Sequence, residues 1–159
     1  MRPTLTTDCW VLHLNGGYTL AISIYQVAEL VNDVPRLLIP QAPAHCCHLI
    51  LWQDKLIPLI DYQSNSPSLS NSQNSDTNNI MIVKFMGDED NILYLAFAVT
   101  SVEKYNVNDD DLSTPQAQNN IPFSRSIISA FHFTDSNSNR NNDKSNTTYI
   151  IDMKHLYSS

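Results

Sequence analysis

Four consecutive residues, His45-Cys46-Cys47-His48, carry side chains that bind zinc in many proteins. On an extended chain, neighbouring side chains point alternately to opposite sides, so these four cannot converge on one tetrahedral ion. Zinc ligands are usually separated by roughly two to five residues, and a helical turn would bring only His45 and His48 to one face. We therefore interpret the segment as two small, buried thiols flanked by exposed imidazoles, and we expect neither a metal nor any other cofactor.

A catalytic thiol would need a base beside it and a positively charged environment. The chain has five histidines, which are scattered through it: His13, His45, His48, His132 and His155. No G-x-S-x-G turn occurs, and the three glycines give no loop that could surround a phosphate. The sequence therefore predicts that the protein is not an enzyme. A metal or thiol enzyme built on the His/Cys segment is the least favoured alternative.

Acidic residues also occur in patterns that could do chemistry. The runs Asp88-Glu89-Asp90 and Asp109-Asp110-Asp111 lack the alternating carboxylates, turn glycine and distal glutamate of a calcium loop, so we interpret them as solvated turns. Asp61 and Asp152 each follow an apolar, strand-like segment, where they resemble a paired acid and base. The interpretation that we favour is that each caps the next turn.

Length and charge restrict the class of protein. A chain of 159 residues, 42% of them hydrophobic, is long enough for one domain with its own core. A formal net charge of −7 with only 9 Lys and Arg argues against a nucleic-acid partner. The N-terminal sequence lacks the pattern of a secretory signal, and no apolar run is long enough to span a membrane. We expect a cytoplasmic protein whose three cysteines are free thiols.

Hydrophobic periodicity predicts the first elements. Apolar residues alternate with period two along residues 9–14 and again along residues 18–24, which indicates two strands. Asn15-Gly16-Gly17 between them tolerates positive φ, so the two strands are predicted to form a hairpin. From Ile24 the apolar spacing changes to i, i+3, i+4 and i+7, which predicts a short helix over residues 24–31.

The rest of the chain alternates between apolar and polar segments. Further strands are predicted at residues 49–52, 56–61, 80–85, 92–99, 126–133 and 148–157. Pro58 cannot donate to a strand ladder, which indicates an edge or a bulge, and residues 93–99 are apolar on both faces, as in a central buried strand. Two tracts rich in Asn and Ser, residues 63–79 and 134–147, are predicted to be mobile loops. The chain is therefore predicted to be mainly all-β, with one or two short helices.

Taken in order, these segments resemble the CheW-like domain family, the adaptors of bacterial chemosensory arrays. CWVLHLNGGYTLAISIYQVAELV resembles the family's opening hairpin and its I-x-x-V-x-E-I segment, with Val27 and Glu29 at the Val and Glu positions. RLLIPQAPAHCCHLILWQDKLIPLIDY resembles the P-x-x-P turn followed by G-V-x-N-L-R-G-x-x-x-P-V-x-D-L. AFAVTSVEKY resembles G-x-V-V-D-x-V, and YIIDMKHL resembles the closing L-D-x-x-x-L. The resemblance spans nearly the whole chain and implies a single CheW-like domain over residues 9–159, with subdomains of interleaved strands.

The resemblance implies two small five-stranded β-barrels packed together, without a catalytic site. It also implies a non-catalytic adaptor that binds two partners. The regulatory domain of a CheA-type histidine kinase would bind through one barrel, and the cytoplasmic tip of a chemoreceptor would bind in a groove between the barrels. Such an adaptor serves chemotaxis or the related systems that control pilus-based (twitching) motility.

The protein-binding residues that we predict on this basis are Val27, Glu29, His48, Gln53 and Tyr105. His48 stands where the family usually has Gly, and Gln53-Asp54 stand where it usually has Arg-Gly. Because Gln lacks the charged, rigid multidonor group of Arg, this difference argues against a receptor contact of the usual kind. The alternative function is an accessory adaptor that binds the kinase, or another sensory protein, but not standard receptors.

Overall fold

The structure is a computed structural model that describes residues 5–15, 17–62, 79–113, 121, 123–133 and 146–158. Its strands are β1 (Thr6–Leu14), β2 (Thr19–Ser23), β3 (Val27–Asn32), β4 (Arg36–Leu38), β5 (His48–Trp52), β6 (Lys55–Ile60), β7 (Asn79–Met86), β8 (Ile92–Asn108), β9 (Ile127–Phe133) and β10 (Asn146–Ile151). A short helix, α1 (Met153–Ser158), follows β10, and 3-10 turns occur at Ile24–Gln26, Ala44–Cys46, Asp88–Asp90, Asp109–Asp111 and Ser124–Ser126. The prediction of a mainly all-β fold is confirmed.

The hairpin and the central strand that the sequence predicted are both present in the structure. β1 and β2 form the predicted antiparallel hairpin, and Gly17 in its turn has a φ of 88°. β8 is the predicted central strand, because all residues from Leu95 to Val99 are buried and consecutive ones lie on opposite faces. Pro58 lies where β6 pairs only with β5, since β6 reaches β8 only at Leu59 and Ile60, so the predicted edge position is confirmed.

All ten strands that the structure describes belong to one hydrogen-bonded sheet. The order is β4-β5-β6-β8-β1-β2-β10-β9, and β7 pairs with both β8 and β3. The first part of β8 pairs with β7 and β6, whereas the rest pairs with β1. β8 therefore divides the sheet into two lobes. Lobe 1 comprises β3 to β7 with the first half of β8, and lobe 2 comprises β1, β2, β9, β10 and the second half of β8.

The two lobes correspond to the two predicted barrels, but strand pairing does not close either of them completely. In lobe 2, Ser113 after β8 bridges to Ala130 of β9, with N to O distances of 2.8 and 3.1 Å in the two directions. In lobe 1, β3 and β4 are the two edge strands, and they do not pair with each other among the described residues. A side-chain hydrogen bond from Trp52 of β5 to Glu29 of β3 crosses this opening.

Alternation on the shared strands produces three cores, because residues one apart face opposite sides of a sheet. Lobe 1 encloses a small core of Ile50, Ile57, Leu59, Ile80, Ile82, Ala96 and Ala98. Lobe 2 encloses a still smaller core of Cys9, Val11, Ala21, Val107 and Phe131. The largest core contains residues of both lobes, including Leu12, Leu20, Met81, Phe97, Phe123 and Tyr149. The lobes are therefore joined by the most extensive apolar packing in the described part of the molecule.

The helix predicted over residues 24–31 is wrong. Only Ile24–Gln26 is helical, as a single 3-10 turn, and β3 begins directly after it. The pairing of β3 with β7 changes register near the start of β3, which is the mark of a β-bulge. Because of this bulge, Ala28 and Val31, although three residues apart, both pack against the core of lobe 1. The bulge thus gives a strand the apolar spacing of a helix.

The strand predicted over residues 148–157 is correct only as far as Ile151. Asp152 immediately precedes α1, and its Oδ1 accepts a hydrogen bond of 3.2 Å from the backbone N of His155. A carboxylate in this position satisfies an otherwise unpaired amide of the first helical turn. The predicted capping role of Asp152 is therefore confirmed.

The two Asn/Ser-rich tracts that were predicted to be mobile loops, at residues 63–79 and 134–147, lie outside the described residues except at their ends. Asn79 is the first residue of β7, and residues 146 and 147 are the first two of β10. The tracts therefore connect β6 to β7 and β9 to β10.

Candidate functional site

Five apolar residues of β4, β5 and β6 lie on the side of lobe 1 that faces away from its core. Directly paired residues share a face of a sheet, as do residues two apart on one strand. Leu37 pairs with Leu49, Leu49 with Pro58, and Leu51 with Leu56. The exposed fractions of Leu37, Leu51 and Leu56 are 51%, 53% and 57%. We name the five residues the leucine face, and contiguous exposed apolar surface of this kind is typical of sites that bind another protein.

A tight turn joins β5 and β6 at one end of the leucine face. Its two central residues, Gln53 and Asp54, have φ values of 46° and 61°, and the flanking residues Trp52 and Lys55 are paired. Positive φ at both positions defines a type I′ turn, for which Asn-Gly is the favoured sequence. Gln53 and Asp54 are both exposed, so their side chains are available to a partner.

Trp52 organises a polar and aromatic cluster beside this turn. Its indole Nε1 donates a hydrogen bond of 2.6 Å to Oε2 of Glu29, and its ring lies 5.3 Å from that of Tyr94. The Nζ of Lys55 is 5.9 Å from the centre of the Trp52 ring and 5.3 Å from that of Tyr94. These distances are within the range of cation–π attraction. Glu29 is therefore exposed but fixed in position by Trp52.

A groove with a volume of about 340 Å³ lies between lobe 1 and α1, the helix that follows β10 of lobe 2. Pro58 of the leucine face lines it, together with Ile60, Leu95 and the end of α1. Tyr62 also lines it, and the ring of His45 stacks on Tyr62 with centres 5.7 Å apart and an angle of 15° between the planes. The leucine face and the groove thus form one continuous surface that meets at Pro58.

The thiol and phenol groups of the groove are held in their neutral forms. Burial, with a smaller effect of the neighbouring Cys47, raises the pKa of Cys46. Burial also raises the pKa of Tyr62, and the nearby Cys46 and Tyr18 add to the increase. Desolvation disfavours the ionised form of either group, so the groove presents apolar and neutral polar surface.

A polar clamp connects the lobes close to the groove. Arg36 of β4 donates from Nη1 to Oδ2 of Asp61 at 3.1 Å, and Asn15 of the β1–β2 turn donates from Nδ2 to Oδ1 of Asp61 at 3.2 Å. Asn15 is buried, with 5% of its surface exposed. The carboxylate of Asp61, which was predicted to cap a turn, therefore binds one residue from each lobe.

The five predicted protein-binding residues do not form one cluster. Glu29 and Gln53 both adjoin Trp52, at the same end of lobe 1. His48 is at the opposite end of β5, about 13 Å away at roughly 3.3 Å per residue. Val27 is half-buried against the largest core. Tyr105 is half-buried in lobe 2, where its ring stacks on Phe131 at 5.7 Å, so it forms part of the wall of that lobe.

The environment of His48 disfavours its charged form. Burial is the largest cause, the positive charge of Arg36 is the second, and Asp61 opposes both, with the result that the pKa of His48 is lowered. Its Nδ1 is 3.2 Å from Sγ of Cys47, whose thiol also contacts the carbonyl of Ala44 at 3.3 Å. The segment His45-Cys46-Cys47-His48 thus forms local contacts, and no group of three or more potential ligands among the described residues could hold a metal ion.

Ser126 and His155 are a pair of potentially reactive residues that was not singled out from the sequence. Ser126 Oγ is 2.9 Å from Nδ1 of His155, and the neighbouring Asp152 accepts from the backbone N of His155 and not from its ring. A catalytic triad requires the carboxylate to orient the imidazole ring. Ser126 is also buried, with 4% of its surface exposed, so this contact secures α1 against the 3-10 turn at Ser124–Ser126.

Sequence reasoning missed the leucine face. The signal was present, since the segments LILW and LIPLI are apolar at consecutive positions, which places apolar side chains on both faces of β5 and β6. One set of alternate residues, including Ile50 and Ile57, fills the core, so the other set had to be either covered by protein or exposed. Of that second set, Leu51 and Leu56 are exposed, Leu49 and Pro58 are half-buried, and Ile60 is buried.

Comparison with known proteins agrees with this architecture. The CheW-like domain family matches residues 9–137 of the chain. No curated protein matches the chain significantly. Among solved structures, it is similar to the crystal structure of the scaffolding protein TtCheW from Thermoanaerobacter tengcongensis, with a TM-score of 0.64 and 18% sequence identity over 98% of this chain and 94% of that one. Among the described residues, no helix has the length and apolar character to cross a membrane. The strand order, the two lobes and the family match together lead to one conclusion: the chain belongs to the CheW-like domain family.

Proposed function

We propose that the protein is a non-catalytic adaptor of the cytoplasm that couples chemoreceptors to a CheA-type histidine kinase. The observation that carries this proposal is the leucine face. Three of its leucines are about half exposed on paired strands, in a chain with a formal net charge of −7. Rigid apolar surface of this kind loses little conformational entropy when a partner covers it, which favours a standing protein–protein contact.

The two proposed partners occupy different parts of the surface. The regulatory domain of the kinase covers the leucine face and the adjoining end of lobe 1, where Glu29 and Gln53 flank Trp52. The cytoplasmic tip of the receptor lies in the groove between lobe 1 and α1. Because the leucine face and the groove meet at Pro58, both partners can be bound side by side.

Titration calorimetry with the kinase regulatory domain tests the first contact. We expect a dissociation constant in the micromolar range or tighter for the natural sequence, and a loss of at least about tenfold for Leu51→Asp, which corresponds to roughly 1.4 kcal/mol. Ile128→Asp is the matched control, because Ile128 is 62% exposed on β9 of lobe 2. Equal weakening by both substitutions, or unchanged binding by Leu51→Asp, would contradict the assignment of the leucine face.

The residues predicted from the family resemblance supply a second test of the same contact. Val27→Asp and Glu29→Lys should each weaken kinase binding, Glu29→Lys because it removes the acceptor that holds Trp52. Glu29→Gln keeps an acceptor for the indole and removes only the charge. If Glu29→Gln binds normally and Glu29→Lys does not, the role of Glu29 is to position Trp52.

A second candidate function is an accessory adaptor that binds the kinase but not standard receptors. It is favoured by Gln53-Asp54, which occupy an exposed turn at positions where the family usually has Arg-Gly. Separate pull-downs with the kinase domain and a receptor tip distinguish the two functions. Receptor binding that appears only after Gln53→Arg and Asp54→Gly would establish the accessory adaptor. Deletion of the gene then tests whether the protein serves chemotaxis or pilus-based motility, according to which behaviour is lost.

A further inference from the structure

The interior of lobe 2 is incompletely filled by its own side chains. β1, β2 and β8 place small residues, Cys9, Ala21 and Val107, on the inward face, and Phe131 of β9 is the only large ring in this core as the structure describes it. The opposite faces of β1 and β2 carry Leu12, Leu20 and Ile22, which fill the core between the lobes. A cavity of about 240 Å³ remains in lobe 2, lined by four of its five core residues, Cys9, Ala21, Val107 and Phe131, and by the ends of β2 and β10.

The lining of this cavity defines the polarity of what it could hold. Most of its lining is aliphatic or aromatic, and its polar residues are Thr7, Ser23, Gln26 and Asp109. Thr7 and Asp109 are exposed, which puts them at its mouth. None of the described residues that line it is Lys, Arg or His. Burial, with a smaller effect of the Asp8 charge, raises the pKa of Cys9 to about 11, so its thiol is neutral and behaves as a small apolar group. The cavity therefore disfavours an anion and offers acceptors for a hydrogen-bond donor at its mouth.

An unpaired hydroxyl provides an independent sign that the interior is incomplete. Oγ1 of Thr148 is buried and has no hydrogen-bond partner among the described residues. Thr148 pairs with Phe131 and is two residues before Ile150, and both of these line the cavity. Paired residues share a face of the sheet, as do residues two apart on one strand, so Thr148 is on the inward side of lobe 2. Buried polar groups are normally paired, either with protein or with ordered water, so an unpaired one indicates that a partner is missing from this interior.

The volume restricts the size of the occupant. An apolar cavity of about 150 Å³ is large enough for benzene, and sites for drug-sized ligands begin at about 300 Å³. The cavity of lobe 2 falls between these values. We propose that lobe 2 binds a small neutral aromatic molecule, of one or two fused rings with an N–H or O–H donor, with the ring between Ala21 and Phe131 and the donor directed to the mouth at Asp109. This site is separate from the leucine face and the groove, and it does not depend on the proposed adaptor function.

Indole is a suitable probe, because it combines a fused apolar ring with one N–H donor. Titration of the labelled full chain with indole, followed by amide NMR, should give saturable shifts centred on Cys9, Ala21 and Phe131. Ala21→Leu fills the cavity and should weaken indole binding at least tenfold, and Ala21→Val is the milder variant if the larger side chain prevents folding. Ile128→Ala, an exposed position on β9, is the control that should bind indole normally.

The charge of the ligand supplies a further test. Indole-3-carboxylate has the same ring with a negative charge, and it should bind at least tenfold more weakly than indole because the mouth contains Asp109 and no lining cation. Shifts that do not saturate, shifts centred outside lobe 2, or equal binding of indole by wild type and by a folded Ala21 variant would each overturn the proposal. Equal binding of the two probes would overturn the assigned polarity.

Discussion

Replacement of Asp61 by Ala should destabilise the protein more than any other single change to a surface carboxylate. The substitution removes a charge-assisted hydrogen bond from Arg36, worth about 1.5–3 kcal/mol, in a pair whose side chains are only 27% and 13% exposed. It also leaves the amide of Asn15 without this acceptor at a site that is 5% exposed, which costs about 1–3 kcal/mol. Allowing for partial hydration of Arg36, we expect a loss of about 2–4 kcal/mol in the free energy of unfolding.

Urea and thermal denaturation measure this loss directly. For a chain of this size, each 1 kcal/mol lowers the melting temperature by roughly 2–4 °C, so a loss of about 2–4 kcal/mol should lower the melting temperature of Asp61→Ala by roughly 4–16 °C. Asp110→Ala, in an exposed 3-10 turn, is the control for removal of one negative charge. A double-mutant cycle with Arg36→Ala isolates the pair. If Asp61→Ala unfolds within about 0.5 kcal/mol of the control, the clamp does not hold the lobes together and the reasoning is refuted.

Three further predictions follow from the backbone and the titrating groups. Gln53→Asn with Asp54→Gly should raise the free energy of unfolding by about 0.5–1 kcal/mol in urea titrations, because both positions have positive φ; an unchanged midpoint would mean that the turn is unstrained. Burial and a nearby guanidinium lower the pKa of His48 from 6.5, so the unfolded chain binds this proton more tightly, and stability should decrease as the pH falls below about 6.5. His48→Gln should reduce that decrease, and an identical pH profile would exclude His48 as its source. At pH 8, iodoacetamide followed by mass spectrometry should modify Cys47 well before Cys9, whose pKa of about 11 and 6% exposure protect it; the reverse order would contradict the burial of Cys9.

The sequence predicted strands well wherever one pattern of burial extended along them. β1, β2 and β7 alternate between two different cores, or between a core and solvent, so period two is visible in their residues. β8 was recognised only as far as residue 99, where both faces are buried. Its second half alternates between the wall of lobe 2 and solvent with polar residues such as Glu103 and Lys104, which weakens the signal, so its continuation to Asn108 was missed.

The errors in the sequence analysis have local physical causes. In β3, the bulge shifted the apolar spacing from two to three and imitated a helix. In the C-terminal segment, a capping carboxylate at Asp152 ended a strand that apolar residues alone would have extended. β4 has only three residues and depends on its pairing with β5, a contact distant in sequence that periodicity does not report.

The candidate site was less predictable than the fold. The turn at Gln53 could be located from the family resemblance, but its backbone conformation could not, because neither Gln nor Asp is the residue that a type I′ turn favours. The cavity of lobe 2 depends on three small residues from three strands, which come together only through the register of β1 with β2 and β8. The role of Glu29 as a protein-binding residue stays a prediction, and its hydrogen bond to Trp52, which lies far from it in sequence, could not be foreseen from periodicity.

The two lobes share one continuous strand, β8, which sets a fixed length along the molecule. Its 17 residues run through both lobes without a break, and at about 3.3 Å per residue they span at most about 56 Å. A load applied to one lobe is therefore carried along a covalent backbone with hydrogen bonds on its sides, and not across a flexible hinge. A two-residue insertion in the middle of β8 would lengthen this strand while it preserved which side chains face inward, because side chains alternate with period two.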